Sequence, residues 1–188
     1  MRAVRDGDLT RLGVLFERHH RALFDFLYRM TGDRGAAEDL VQDVFVRMLR
    51  YRSTYRDDGK FETWMFRIAR NARADHFRKQ GAAVYVPEDG MDWASEAPGP
   101  AHLFERARDM ARLTRALQEL REDRRELIVL ARYQGMKHEA IAELLGIDTG
   151  TVKVRIHRAL KELREIYLQL AQRPSCDVKT ARRSLSTI

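Results

Sequence analysis

Apolar positions recur every three to four residues through most of the chain and almost nowhere alternate. From Leu9 to Met30 they fall at Leu12, Leu15, Phe16, Leu23, Phe26, Leu27 and Met30, the period of an amphipathic helix. Thr31-Gly32 stops that helix, because glycine takes the left-handed conformation of a helix end, and Asp33 is placed to cap the next one. That helix, Arg34 to Arg50, stacks Leu40, Val41, Val44, Phe45, Met48 and Leu49 on one broad stripe. After the polar stretch YRSTYRDDGK, a third helix is predicted from Phe61 to Lys79. The period then lapses over residues 80–101, which hold prolines, glycines and the acids Glu88, Asp89, Asp92 and Glu96 without a Lys or Arg. It resumes near Leu103 and runs to Gln172 with breaks at Gly135 and Gly146, before Pro174. The pattern predicts an all-α protein of two small helical domains, residues 1–80 and 105–172, joined by a flexible acidic linker at 81–104 and followed by a basic tail at 173–188.

Within the second domain, HEAIAELLGIDTGTVKVRIHRAL carries a short helix from His138 to Leu145, a glycine end at Gly146, and Asp148 as the cap of a longer helix. Ile141, Leu144, Leu145 and Ile147 are expected to pin the second helix across the first. This is the spacing of a helix-turn-helix, whose second helix enters the DNA major groove. At about 100° per residue, Val152, Ile156, Ala159, Leu160 and Leu163 share the buried side. Gly150, Lys153, Val154, His157, Arg158 and Lys161 lie opposite, beyond the helix start at Thr149, with Thr151 and Arg155 flanking. That face holds cations, an imidazole and no acid. It suits phosphate contacts from Arg155, Arg158 and Lys161 and base-edge contacts near the helix start. Lys137, where the preceding helix begins, has no side chain able to cap it.

The first domain has two faces of different chemistry. Asp39, Gln42, Asp43 and Val46 lie opposite the apolar stripe of the second helix, either as a plain solvated face or as a docking surface for a basic protein. In the third helix, Phe61, Met65, Ile68, Ala69 and Ala72 form the buried side. Thr63, Arg67, Arg70, Asn71, Ala74 and Arg78 point out, and Trp64 and Phe66 stand on the shoulders. Cations and an amide among large aromatics suit single-stranded nucleic acid, where a ring stacking on a base contributes roughly 1–3 kcal/mol. Phe66 fits better as core, while Trp64 is open to either role.

Charge sharpens this picture. The 188 residues carry a net charge of +7, with 34% charged, which favours a polyanionic partner. No apolar run approaches the roughly 18 residues of a membrane span, and the N-terminus is too polar for a secretory signal. The lone Cys176 excludes an internal disulfide and any multi-cysteine metal site. There is no phosphate loop, no HExxH and no clustered carboxylate set beyond Asp39 and Asp43, so neither a catalytic residue, a metal, a cofactor nor a small-molecule substrate is expected.

DLVQDVFVRMLR and FETWMFRIARNARADHFRK, followed in order by GMKHEAIAELLGIDTGTVKVRIHRALKEL, resemble an extracytoplasmic-function (ECF, group 4) RNA polymerase sigma factor of the sigma-70 family, over about residues 5–170. The resemblance implies that residues 1–80 are sigma region 2 and residues 105–172 sigma region 4. It implies that Asp39, Gln42, Asp43 and Val46 bind the clamp helices of the polymerase β′ subunit. Phe61, Trp64, Arg67, Arg70, Asn71, Arg78 and Lys79 would open and read the −10 promoter element. The helix from Asp148, with Thr149, Gly150, Thr151, Lys153, Val154, Arg155, His157, Arg158 and Lys161, would read the −35 element, and its domain would touch the β flap. The acidic linker would thread toward the polymerase active centre. An anti-sigma factor and a cytoplasmic, bacterial location are implied as well. Val154 departs from the family, which often has Ser there, and substitutes an apolar contact suited to a thymine methyl. A stand-alone helix-turn-helix regulator acting without polymerase is the competing reading, but it leaves the aromatic-basic third helix unexplained.

Overall fold

The structure, a computed structural model, describes residues 1–57, 60–80 and 100–172, with side chains left undescribed at 80 and 100–104. The acidic stretch at 81–99 and the tail at 173–188 with Cys176 lie outside the described residues. Eight α-helices are present among the described residues, with no strand: α1 (Arg2–Arg5), α2 (Arg11–Thr31), α3 (Arg34–Arg50), α4 (Phe61–Gln80), α5 (Pro100–Glu119), α6 (Glu122–Ile128), α7 (His138–Leu145) and α8 (Thr149–Gln172). A 3₁₀ turn at Arg52–Thr54 and a π-helical turn at Val129–Tyr133 complete the elements.

The boundaries follow from local chemistry. Gly32 ends α2 at φ 77° and its amide donates to the Tyr28 carbonyl, while Asp33 Oδ1 accepts from the Ala36 amide at 3.0 Å to start α3. Pro100 opens α5 earlier than the periodicity suggests, within the range read as linker. Proline is at home in the first turn of a helix, where its missing N–H leaves no bond unmade. The break between α5 and α6 has no glycine to announce it. Leu120 is 2% exposed and Arg121 takes φ −56°, ψ 143°, so tertiary packing bends the chain there.

In the first domain α2, α3 and α4 pack around Leu23, Phe26, Leu27, Leu40, Val44, Met48, Met65 and Ala69. Phe26 meets Phe66 edge-on at 5.1 Å, which settles Phe66 as a core residue. Each fully buried side chain of this size contributes roughly 1.5–3 kcal/mol. In the second domain α5, α6 and α8 close around Ala116, Leu117, Leu120, Ile128, Ala159 and Leu163. The two domains are docked. Leu127, Val129, Leu130, Ile141, Leu144, Val152 and Ile156 continue the first domain's core rather than forming a separate one. The small core expected at Ile141, Leu144, Leu145 and Ile147 is therefore part of a larger body.

Candidate nucleic-acid interface

The helix-turn-helix forms as its sequence requires. Gly146 ends α7 at φ 67° with its amide on the Ala142 carbonyl, and Asp148 Oδ1 accepts from the Thr151 amide at 2.8 Å. The Thr151 hydroxyl also donates to Asp148, and this bond, followed by those from backbone amides, holds the Asp148 carboxyl below its ordinary pKa. Gly150 has a local reason to lack a side chain, since a Cβ there would come within 3.0 Å of Asp148 Oδ1. At Lys137 no side chain caps α7; the Ile141 amide bonds the Lys137 carbonyl at 3.0 Å.

Val152, Ile156, Ala159 and Leu163 are buried on α8. Gly150, Lys153, Val154, Arg155, His157, Arg158 and Lys161 are exposed, and Thr149 and Thr151 are half-buried beside the cap. The described acids nearest in sequence are Asp148, occupied as the cap, and Glu162, paired with Arg124. The apolar Val154 leaves half of its surface in water among these cations. The face is open, basic and continuous over two turns.

The α4 face is more constrained. Phe61, Trp64 and Tyr55 form an aromatic cluster, with Tyr55 edge-on to Trp64 at 5.4 Å, Phe61 6.3 Å from Trp64 and His19 4.9 Å from Phe61. Trp64 and Phe61 are each half-buried, so one side of each ring is held and the rest remains accessible. Burial lowers the pKa of His19 and so favours its neutral form beside the rings. Arg67 and Asn71 are exposed. Thr63 is not on the outward face; it is 1% exposed, with a hydroxyl lacking a partner in the protein. Arg70 is half-buried because it reaches the second domain, with Nε 2.7 Å from Glu126 Oε1 and Nη1 3.4 Å from the Leu144 carbonyl. Arg67 stands 3.9 Å from Glu143.

Arg78 and Lys79 sit farther along α4, near α3. Arg78 pairs with Asp75 at 2.9 Å, and Asp75 accepts from Arg47 at 2.6 Å while Arg47 also holds Asp43 at 2.9 Å. A shallow depression lined by Asp39, Asp43, Asp75, His76 and Lys79 separates the two helices. The α3 face thus divides: Asp43 is tied to Arg47, while Asp39 and Gln42 are exposed and Val46 is 55% exposed. Among the described residues no three His, Cys, Asp or Glu side chains are placed to hold a metal ion, and no helix is long and apolar enough to cross a membrane.

Helix periodicity did not reveal the groups that join the domains. Arg73, 6% exposed, pairs with Glu122. Arg125 donates to the carbonyls of Met30, Gln118 and Leu120. Arg29 stacks on the Tyr133 ring at 3.6 Å. A periodicity argument assigns such cations to solvent, because the partner lies in a distant segment.

Residues 15–83 match the family description "Sigma-70 region 2" and residues 110–163 match "Sigma-70, region 4". The chain is 35% identical over 153 residues to the ECF RNA polymerase sigma factor SigE of Mycolicibacterium smegmatis, covering 80% of this chain and 59% of SigE. It is 36% identical over 172 residues to the RNA polymerase sigma factor CarQ of Myxococcus xanthus, covering 90% of this chain and 97% of CarQ. The chain belongs to the ECF RNA polymerase sigma factors. Its fold is similar to that of the sigma factor RpoE solved in complex with the anti-sigma factor NepR from Bartonella quintana, with a TM-score of 0.68 and 26% identity over 82% of this chain and 94% of that one. In this sigma factor the region 2 match contains α3, α4 and most of α2, and the region 4 match contains α6, α7 and the whole exposed α8 face from Thr149 to Lys161.

Proposed function

We propose that this sigma factor binds core RNA polymerase through Asp39, Gln42, Asp43 and Val46 of α3, and grips promoter DNA at two points. Region 4 reads the −35 element as duplex with Thr149, Gly150, Thr151, Lys153, Val154, Arg155, His157, Arg158 and Lys161, and its domain lies against the β flap. Region 2 opens the −10 element and holds the exposed strand with Phe61, Trp64, Arg67, Arg70, Asn71, Arg78 and Lys79. The α8 face carries the reading. It is a capped recognition helix whose outward side is cationic, acid-free and unburied, as phosphate and base-edge contacts require.

The α4 geometry supplies the complementary half. Holding a flipped base needs a ring fixed on one side and open on the other, and Trp64 against Tyr55 and Phe61 meets both conditions. The linker, 81–104, carries its acids into the polymerase channel in this account. An anti-sigma factor is assigned as a further partner on the likeness to RpoE, which was solved in complex with the anti-sigma factor NepR. The protein acts by binding, with no catalytic residue of its own.

Two substitutions separate the halves. Arg158→Ala removes a phosphate contact and should weaken holoenzyme binding to the −35 region uniformly across sequences, by about 1 kcal/mol or more, with a shallower salt dependence. Trp64→Ala should leave closed-complex formation intact and reduce open-complex yield by roughly tenfold, consistent with about 1–3 kcal/mol per stacked base. Permanganate footprinting of unpaired thymines reads the second effect, with the melting temperature of the variant as the folding control. Unchanged reactivity at −10 thymines would remove Trp64 from the opening site.

A further inference from the structure

The described residues leave part of the apolar surface of region 4 uncovered. Between α5 and α8 an open groove of about 320 Å³ is lined by Met110, Leu113, Leu160, Leu163 and Tyr167, with Asp109 and Arg164 at its rim. Leu113, Leu160 and Tyr167 pack on the core yet are only half-buried, and Leu168, 47% exposed, continues the surface one turn beyond Arg164. The wall is held in place. The Tyr167 hydroxyl donates to Asp109 at 3.0 Å, Arg112 pairs with Asp109 at 3.1 Å, and the Arg112 guanidinium lies 5.3 Å from the Tyr167 ring. We propose that residues 177–188 fold back as an amphipathic helix into this groove, antiparallel to α8.

Period, chain length and register select this occupant. The region 4 match ends at residue 163, whereas α8 runs on to Gln172, so the outer wall of the groove and the segment after it both lie beyond that match. Pro174 cannot continue the helix, and Ser175 and Asp177 each offer an N-cap side chain. A break over 173–176 is within the length that joins two antiparallel helices. At about 100° per residue, Val178, Ala181, Leu185 and Ile188 fall within about 80° of arc, while Lys179, Thr180 and Arg183 stand away from them. A helix from Val178 to Ile188 is about 17 Å long, and α8 from Leu160 to Gln172 spans about 18 Å, so the segment covers the groove from end to end. The same fold-back sets Val178 level with Leu170, Ala181 with Tyr167, Leu185 with Leu163 and Ile188 with Leu160. The smallest apolar side chain of the segment thus meets the largest of the wall.

A helix this short is marginal alone in water, so burial in the groove supplies its ordering. Arg182, on the shoulder of the apolar arc, comes level with Asp109, whose carboxylate keeps acceptor capacity beyond its bonds to Tyr167 and Arg112. Lys179 and Arg183 face solvent. A protein partner that takes this groove has first to displace the segment. The docking uses this chain's own residues and requires no polymerase, so it stands or falls apart from the sigma-factor reading.

The test uses the full chain. Leu185→Asp with Ile188→Asp removes the apolar positions of the segment and leaves every residue of α1 to α8 in place, with the melting temperature as the folding control. Spin labels at Glu119→Cys and Thr187→Cys in a Cys176→Ser background follow the distance from the end of α5 to the segment, and amide exchange follows α8 from Leu163 to Gln172. Docking predicts a narrow distance distribution in the parent and a broad one in the variant. Exchange at the end of α8 should be roughly tenfold faster in the variant, as when the docked state holds about nine-tenths of the population. A parent distribution as broad as the variant's, or equal exchange in the two, would overturn the docking. A narrow distribution that appears only as protein concentration rises, with a dimer in sedimentation, would assign the groove to a second copy and overturn it as well.

Discussion

Core RNA polymerase is expected to bind an Asp39→Arg, Val46→Arg double variant about 30-fold or more weakly than the parent chain, which corresponds to roughly 2 kcal/mol at the centre of an interface. Asp39 and Val46 lie on one exposed stripe of α3, about two turns apart, and Val46 leaves more than half of its surface in water. On the proposed reading, this exposed valine among acids is a surface that the polymerase buries. Two arginines there bring like charge to a partner selected for acidic contacts and place cations where an apolar contact is buried. Neither position supports the core, so thermal stability should change by no more than about 0.5 kcal/mol. Asp43 is a poorer choice for this test. Its pairing with Arg47, which also holds Asp75, means that its loss disturbs the junction of α3 and α4 as well as the surface. Titration of fluorescent sigma factor with core enzyme measures the effect, and an unchanged affinity would move the polymerase contact off α3.

Phe26→Ala is the second large effect and concerns the fold. Phe26 is 0% exposed, faces Phe66 at 5.1 Å, and sits where α2 meets α4. Removing a buried ring of this size costs about 3–5 kcal/mol, from lost transfer energy and from the cavity left behind. Set against a total stability of order 5–15 kcal/mol, that is a large share. A fall in melting temperature on the order of 10 °C is expected. Because the core of region 2 continues through Leu130 and Ile141 into region 4, the loss should be felt by both domains in the same transition. Near-ultraviolet circular dichroism at the tryptophan band and amide exchange in α8 would follow the two domains separately. Two well-separated transitions in the parent would show that the shared core is not cooperative.

What the sequence made legible was governed by local rules. The Gly32–Asp33 and Gly146–Asp148 punctuation set helix ends to within a residue, because capping and left-handed glycine are properties of a few adjacent atoms. The buried stripe of α8 followed from helical period alone and fixed its outward face. Contacts between distant segments were not legible in this way. Arg29, Arg73 and Arg125 carry charge that period and composition assign to water, yet each is used between domains. Thr63 was placed outward by its angle on the wheel, but the neighbouring packing buries it. The α5–α6 break at Leu120 and the π-helical turn before Gly135 depend on tertiary fit and carry no residue signature. Trp64 lies between the two cases: its helical position was clear, and its half-held state required the Tyr55 ring, supplied from the segment before α4.

This division bears on function as well. The proposed −35 face lies on one helix, whereas the proposed −10 face shares one of its cations, Arg70, with Glu126 and the Leu144 carbonyl of region 4. On the sigma-factor reading, the free chain should bind promoter DNA poorly until polymerase is present. The stand-alone regulator reading requires the opposite, tight and specific duplex binding by the free protein. Run-off transcription from a promoter library, with core RNA polymerase in the presence and absence of the full chain, tests this most directly. The account predicts transcripts from a defined subset of promoters sharing −35 and −10 elements only when chain and core enzyme are combined. Tight, specific duplex binding by the free chain, with no transcript gained on adding core enzyme, would contradict it.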